Sequence, residues 1–537
     1  MGIVLSDPSD TDSDALDSQQ EAVHMCLLPT SSEGQMKILY FAAFTPEEEN
    51  EEEVIKTRIL TITTSDPPLG ITDQTIPNWP GDSEPLPRLF CCGHTYLQDG
   101  KLLCAGGHRE TPSPHVHFGL GLKFAYVFDP DNETWDYLRN QDSQPQKMDD
   151  GRWYPTVTNL GTVSEERPYI ALVIAGYRYE LDGEDPVYND NIEAFNPEAA
   201  IPEDFIEAEV NYPGAHLIPY NNEEFGILKG EVFYSFPLAK KWRFNPYGNE
   251  NSDIFWTEMP ESQLARFSGA SVLLPLKPNN TDMKVLILGG KYDVEELPAD
   301  TVEVFNLGAT TQEDFEWKEM ANLNIPRMLV NTVILPDGKL FVMGGSQANP
   351  RQNGITLPEI YDPEANSGLG ESKLLPCAST FTRMYHSTGI LLLDGSVLVS
   401  GGELQEDDTF ANGNRNFEIY KPPYLFDGSR PNVWVNTTDM TYGTSFYCHS
   451  DLQIAEFILI KPGVPTHGFD PDQRAIYLEI VDSYPNDGIT YVISGPADGF
   501  VAPPGKYLLF AVRPKNASTS GQNKIPSMGI FINLFVG

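Results

Sequence analysis

Short apolar runs closed by small residues recur along the first four-fifths of this chain: DGKLLCAGG (99–107), PYIALVIAG (168–176), MKVLILGG (283–290), DGKLFVMGG (337–345) and DGSVLVSGG (394–402). Weaker copies stand at MKILYF (36–41) and KGEVFYSF (229–236). A second segment answers them: YVFDP (126–130), IEAFNP (192–197), WRFNP (242–246), VEVFNL (302–307), PEIYDP (358–363) and FEIYKP, which ends at Pro422. Runs this short, rich in β-branched residues and bounded by Gly, Pro and Asp-Gly, predict strands rather than helices. The unit returns every 55–70 residues or so, the length of a four-stranded propeller blade carrying loop insertions. Asp-Gly suits hairpin turns that need positive φ, and Gly-Gly suits the crowding of backbones near a central channel. One blade cannot bury both faces, so blades must stack into a ring. Seven are expected, beginning near His24, Cys91, Tyr154, His216, Phe267, Arg327 and Tyr385.

After KPPYLFDGSRP (421–431) the repeat stops. Strands are expected near 432–436, 453–460, 475–481, 489–493, 506–513 and 528–536, with no helical periodicity, which predicts an immunoglobulin-like sandwich. The expected organisation is therefore all-β. A disordered acidic tail (1–22) leads into a seven-bladed kelch-type β-propeller (23–428). An immunoglobulin-like, early-set β-sandwich (429–537) follows.

Composition sharpens this picture. The chain has 537 residues, with 44 Gly and 44 Pro, a content that favours many short strands. Acidic residues number 77 against 35 basic, a net charge of −42. That balance excludes nucleic acid and anionic membrane surfaces as partners, since both require clustered Lys and Arg. Adaptation to a salty milieu explains the charge equally well, and the acidic run 47–53 reads as a solvated insertion. No run of 18 apolar residues suggests a membrane span. Six cysteines without a C-x-x-C pair argue against a disulfide scaffold and a zinc ribbon. The acidic N-terminal stretch lacks the profile of a signal peptide. Without an export route, the sequons at Asn132, Asn279, Asn436 and Asn516 carry little weight.

A propeller hosts many functions, so function has to be argued from side chains. Four segments hold unusual combinations: FCCGH (90–94), GRWYPT (151–156), RMYHS (383–387) and PTHGF (465–469). Neighbours on a strand point to opposite faces, but at a strand end the backbone bends, so Tyr385 and His386 could both face the axis. A phenol is a poor ligand while protonated; divalent copper can lower its pKa, and imidazole suits copper well. Tyrosine with two histidines is thus a plausible copper set, and a poor one for Mg or Ca. Singly, each residue has an ordinary reading: Tyr385 as packing, His467 as a surface loop residue, Cys91 as a small buried hydrophobe.

Together and in order, the four segments resemble the copper radical oxidases, the galactose oxidase and glyoxal oxidase family. The resemblance runs from His24 to the C-terminus and is closest to the glyoxal oxidase-like branch. It includes LQDGKLLCAGGH (97–108), KPPYLF (421–426), THGFDPDQR (466–474), PPGKYLLF (503–510) and IPSMGIFI (525–532). By position it implies that Cys91 is thioether-linked to Tyr154. It implies that Tyr154, Tyr385, His386 and His467 bind copper, His467 arriving on a loop of the C-terminal domain. The cofactors implied are Cu(2+) and a protein-derived Cys-Tyr radical. The reaction implied is oxidation of a simple aldehyde or primary alcohol by O2, with Tyr385 as base, Tyr154 as hydrogen acceptor and hydrogen peroxide as product. The family is commonly secreted or at the cell surface, and a monomer is the default for such a chain.

Several points stay open at this level. Cys92 competes with Cys91 for the crosslink. Galactose oxidase stacks a Trp on the crosslink just after a blade's Gly-Gly; here AGYRYE (175–180) places Arg178 there, leaving Tyr177, Tyr179 or a Trp such as Trp242 as the stacking partner. His115 and His117, with His108 nearby, form a rival metal cluster, more simply read as surface histidines of a loop. His94 and His216 begin blade strands and could support the site from behind. The rival function is a non-catalytic propeller that binds carbohydrate or protein.

Overall fold

The computed structural model describes residues 2–4, 21–29, 34–41, 56–63, 70–77, 88–113, 116–140, 142–162, 164, 167, 169–181, 187–195, 199–204, 211–248, 255–292, 297–403, 414–485, 487–514 and 524–536. The chain is all-β, mostly in short strands that pair antiparallel; among the described residues Asp439–Thr441 pairs parallel with Ile530–Phe535. Among the described residues, seven sheets occupy the N-terminal region. Their innermost strands are His24–Leu28, Gly93–Tyr96, Thr156–Asn159, Gly214–Leu217, Ala270–Leu273, Asn331–Ile334 and Ser387–Leu391. Each pairs with an apolar run of the repeat, so that Leu102–Ala105 lies against Gly93–Tyr96 and Leu340–Met343 against Asn331–Ile334. The second segment of the repeat supplies the third strand, as Glu359–Asp362 does beside Leu340–Met343. Successive inner strands are neighbours, and Ser387–Leu391 lies beside His24–Leu28. The circuit returns to the second sheet where His24 Nδ1 lies 2.8 Å from His94 Nε2 and the Tyr96 hydroxyl donates to the Leu27 carbonyl.

Two features depart from the sequence expectation. Part of the tail expected to be disordered is ordered: Gly2–Val4 pairs antiparallel with Phe417–Tyr420, completing the last sheet of the ring, and Ala22 is fully buried. Residues 5–20 of that tail lie outside the described residues. The second sheet also carries a 14-residue strand, Val116–Asp129. Its C-terminal half belongs to the sheet, whereas its N-terminal half pairs with His108–Ser113 and Tyr177–Leu181 above it. At the crossing, a side chain on Gly151 would sit 2.0 Å from the Gly121 carbonyl oxygen, so only glycine allows the two backbones to approach.

Four of the seven sheets share a further rule. An arginine stands four residues before the inner strand: Arg152, Arg266, Arg327 and Arg383. Each is buried and pairs with a glutamate of the third strand, Glu193, Glu303, Glu359 and Glu418 respectively, at 2.6–2.8 Å. Each also donates to the carbonyl that ends the apolar run: Ala175, Gly289, Gly344 and Gly401. Between arginine and strand, one residue turns left-handed. It is the second after the arginine in Tyr154, Ser268 and Leu329, but the third in the last sheet, where the turn falls on His386. Cys91 and Tyr212, two residues before their inner strands, have the same positive φ. These turns are knitted together: Tyr154 N–H donates to Cys91 O, Tyr212 N–H to Tyr154 O, and Leu329 N–H to Ser268 O.

Residues beyond 430 form two packed sheets. One contains Val433–Val435, Ser445–Ser450, Ile489–Ser494 and Ile480–Pro485; the other contains Asp439–Thr441, Ile530–Phe535, Gly505–Arg513, Glu456–Ile460 and Ala475–Leu478. Their core holds Phe446, Cys448, Phe457, Tyr507 and Ile532. The segment joining Glu456–Ile460 to Ala475–Leu478 reaches the ring. Met25 and Leu27 N–H donate to the carbonyls of Pro465 and Gly463. Asp472, paired with the buried Lys461 at 2.7 Å, accepts from Tyr96 N–H.

Candidate functional site

The left-handed turns explain how the candidate residues meet. An extended strand would send alternate side chains to opposite faces. A residue at positive φ breaks that alternation, at a cost of the order of 1–3 kcal/mol for a non-glycine. Cys91, Tyr154 and His386 occupy such positions on the segments leading into three of the inner strands, and His467 (φ 51) does so on the loop between Glu456–Ile460 and Ala475–Leu478. The shift of the turn onto His386 frees Tyr385 to face the same space, with the Tyr385 and His386 ring centroids 3.9 Å apart.

The five side chains converge. The Tyr154 and Tyr385 hydroxyls lie 2.9 Å apart. His467 Nε2 lies 3.3 Å from Cys91 Sγ, and Cys91, His386 and His467 offer ligand atoms within 4.8 Å of one another. The His467 ring is 4.7 Å from His386, 5.3 Å from Tyr154 and 5.4 Å from Tyr385, centroid to centroid. Hydrogen bonding fixes the imidazole tautomers. The Thr466 hydroxyl donates to Val23 O and therefore accepts from His467 Nδ1, 2.6 Å away, which leaves Nε2 unprotonated. His386 Nδ1 lies 3.2 Å from Glu403, itself paired with Arg351, and His386 Nε2 is buried with no partner. Two imidazole lone pairs thus face one buried space. Anchoring the far ring nitrogen on an oxygen is the arrangement that orients a histidine toward a metal ion.

Burial governs the ionisation of the group. It pushes the phenols of Tyr154 and Tyr385 well above the usual tyrosine range, and the neighbouring Cys91 adds to this. It pushes His467 well below the ordinary histidine value, and His386 down despite Glu403. The imidazoles are therefore neutral lone-pair donors.

The two neighbouring cysteines face different ways. Cys91 packs with Tyr154 and Tyr212, whereas Cys92 lies in a separate hydrophobic core with Cys26 and Cys104. Of the histidines considered as a rival cluster, His108 stacks on Trp153 at 3.8 Å. His115 and the side chain of His117 lie outside the described residues. His216 hydrogen-bonds to Ser271 at 2.7 Å.

Comparison with known proteins places these features. Residues 256–424 match the family model described as glyoxal oxidase N-terminus, and residues 430–534 match that of the galactose oxidase-like early set domain. Both regions carry the domains of the galactose oxidase and glyoxal oxidase family. Galactose oxidase of Gibberella zeae is 26% identical over 86% of the chain, which spans 64% of that protein's length. Aldehyde oxidase GLOX of Vitis pseudoreticulata is 24% identical over 80% of each chain. A fungal AA5-family alcohol oxidase solved in complex with copper shares the fold, with a TM-score of 0.72 at 20% identity, over 97% of this chain and 98% of that one.

The residue stacked on Tyr154 is none of those the sequence offered. Trp153, immediately before Tyr154, lies on the Tyr154 ring at 4.7 Å and 22°. His108 covers its other face, and Tyr177 meets the Tyr154 ring edge-on at 5.7 Å. Arg178 instead pairs with Asp150 and Asp190. Tyr179 is exposed, and Trp242 belongs to the fourth sheet, beside Tyr234. Sequence reading also missed Tyr212, whose ring lies 4.7 Å from His467 while its hydroxyl holds Cys92 O. Its place in the repeat, equivalent to Cys91 and Tyr154, was the available signal.

Proposed function

We propose that this chain is a mononuclear copper radical oxidase, oxidising simple aldehydes or primary alcohols with dioxygen and releasing hydrogen peroxide. One observation carries the reading: two phenol hydroxyls 2.9 Å apart share a buried space with two unprotonated imidazole nitrogens and with a thiol packed on one of the phenols. The seven sheets are read as seven kelch-type blades (23–428), and residues 429–537 as an immunoglobulin-like early-set sandwich. One chain supplies all five residues, so a second copy is not needed to complete the site.

The side chains suit copper. His386 Nε2 is a buried lone pair without a partner, a costly state unless an electrophile occupies the space. Two imidazoles and two phenols form an N/O donor set that fits divalent copper. His386, His467, Tyr154 and Tyr385 would hold the ion, with Cys91 joined to Tyr154. Bound copper would supply one of the two oxidising equivalents, accepting one electron, and would polarise the substrate hydroxyl. Tyr385, whose buried phenol would ionise only on binding the metal, would then take the hydroxyl proton on its oxygen, being within reach of any group that touches Tyr154. Joined to Cys91 and oxidised, Tyr154 would be the residue whose oxygen accepts the hydrogen atom from the substrate carbon. Trp153 shields the ring face and, with Tyr177 and Tyr212, excludes water from it. The balance is one alcohol and one dioxygen to one aldehyde and one hydrogen peroxide; an aldehyde, reacting as its hydrate, consumes one water and one dioxygen to give one carboxylic acid and one hydrogen peroxide.

The test is peroxide release from the copper-loaded protein over a panel of aldehydes and primary alcohols. Release that is lost in Tyr385→Phe supports the reading. Absence of both copper binding and release would favour a non-catalytic carbohydrate- or protein-binding propeller.

A further inference from the structure

Behind Cys91 lies a second pair of histidines that the proposed reaction does not use. His24 Nε2 is 2.9 Å from the main-chain nitrogen of Cys91, and His24 Nδ1 is 2.8 Å from His94 Nε2. Both histidines are fully buried. The proton positions follow by elimination. A backbone N–H can only donate, so His24 Nε2 is the acceptor and its proton sits on Nδ1. That proton is donated to His94 Nε2, which places the His94 proton on Nδ1, where it finds no other residue to bond. Both nitrogens of His24 are thus committed, and neither is available to a metal ion. Phe41 stacks on the His24 ring at 4.5 Å and holds its plane.

The bond falls where the backbone is least favourable. Cys91 has φ 55, a left-handed conformation that a non-glycine residue adopts only when its surroundings impose it. Its carbonyl is held by Tyr154 N–H and its N–H by His24, so the peptide units on both sides of the strained residue are fixed. In this conformation the thiol packs on Tyr154, while the next residue, Cys92, points into the blade core.

We propose that His24, held in one tautomer by His94, is the positioning residue for Cys91, fixing its left-handed turn so that the thiol faces Tyr154 for crosslinking. The proposal rests on the oxidase reading for its chemistry. Thioether formation breaks one S–H and one ring C–H bond and makes one C–S bond. Dioxygen accepts the two electrons and two protons, leaving as hydrogen peroxide. A His24 side chain that no longer accepts from Cys91 N–H lets the turn relax and takes the thiol out of reach.

The experiment uses the full chain, purified without copper, then loaded with copper(II) in air. Crosslinking is followed by mass spectrometry of the joined peptide pair. His24→Phe keeps the ring packed on Phe41 but removes the acceptor; His24→Gln restores an acceptor oxygen. Wild type and His24→Gln should crosslink at rates within about threefold, and His24→Phe at least about fivefold more slowly, the loss of one hydrogen bond. Copper stoichiometry should be the same in all three. Equal rates in His24→Phe and wild type would overturn the proposal. Failure of wild type to crosslink would sink the oxidase reading instead. The positioning role would then be read from copper-free protein, where Cys91 amide exchange should be slow in wild type and His24→Gln and fast in His24→Phe. Unchanged protection in His24→Phe overturns it there. If His24→Phe does not fold, His94→Phe, which removes the partner that fixes the tautomer, should show the same slowing in milder form; no slowing overturns the proposal.

Discussion

The Tyr154 ring lies against that of its own neighbour, Trp153, with 4.7 Å between centroids and 22° between planes. Adjacent residues on a strand cannot do this. The positive φ at Tyr154 folds the two side chains onto one another, and His108 closes the stack from the far side. A polarizable indole on one face favours a ring that loses electron density, and aromatic stacking contributes about 1 kcal/mol. Replacing Trp153 with Leu should leave copper binding intact and make Tyr154 harder to oxidise, by roughly fivefold in the equilibrium. Redox titration of the radical's absorption band measures the change, and an unchanged midpoint would remove the tryptophan from the account.

Tyr385 is expected to matter for turnover rather than assembly. Tyr385→Phe deletes the hydroxyl that faces Tyr154 but not the ring packed on His386. General-base loss predicts a fall in kcat of about 10²–10⁴. The Cys91–Tyr154 link should still form. Peroxide release together with peptide mass analysis separates the two effects.

The buried arginine–glutamate pairs govern stability. Arg327 and Glu359 are both 0% exposed at 2.6 Å, and Arg327 also holds the Gly344 carbonyl. Removing one member leaves a buried charge without its partner. Glu359→Ala should therefore destabilise the ring by about 3–5 kcal/mol. Chemical denaturation of the copper-free protein reads this directly.

Asp470 gives a pH signature. Burial, together with Asp472, raises its carboxyl to about 7 from an ordinary value of 3.8. The folded chain then keeps a proton that the unfolded chain releases near pH 4. Between these two values the native state binds more protons, so stability falls as pH rises from about 4 to about 7. Asp470→Asn should flatten that part of the curve. Melting temperatures across pH, measured without copper, supply the comparison.

Much of this was legible in the repeat. The expected blade starts fall within four residues of the observed inner strands, because Gly-Gly ends and Asp-Gly turns mark where backbones crowd and reverse. The five candidate residues were visible only jointly: each reads as ordinary alone, and the ordered segments FCCGH, GRWYPT, RMYHS and PTHGF, through the family they resemble, singled them out. Trp153 was hidden by the alternation rule, which fails only where φ turns positive. The repeated Glu of the third strand was visible, but not its arginine, which stands before a different strand and meets it only once the sheet is folded. Ser445–Ser450 went unpredicted although Phe446 and Cys448 alternate inward, because its outward residues include Tyr447 and His449. The His24–His94 pair joins the first and second sheets of the ring, and no local pattern reports a contact across that seam.

Peptide mapping of the copper-loaded, air-exposed chain decides whether Cys91 and Tyr154 are joined. A joined pair containing Cys91 and Tyr154, lighter by two hydrogens than the separate peptides, is expected. Separate, unmodified Cys91 and Tyr154 peptides from protein that has bound copper would contradict it.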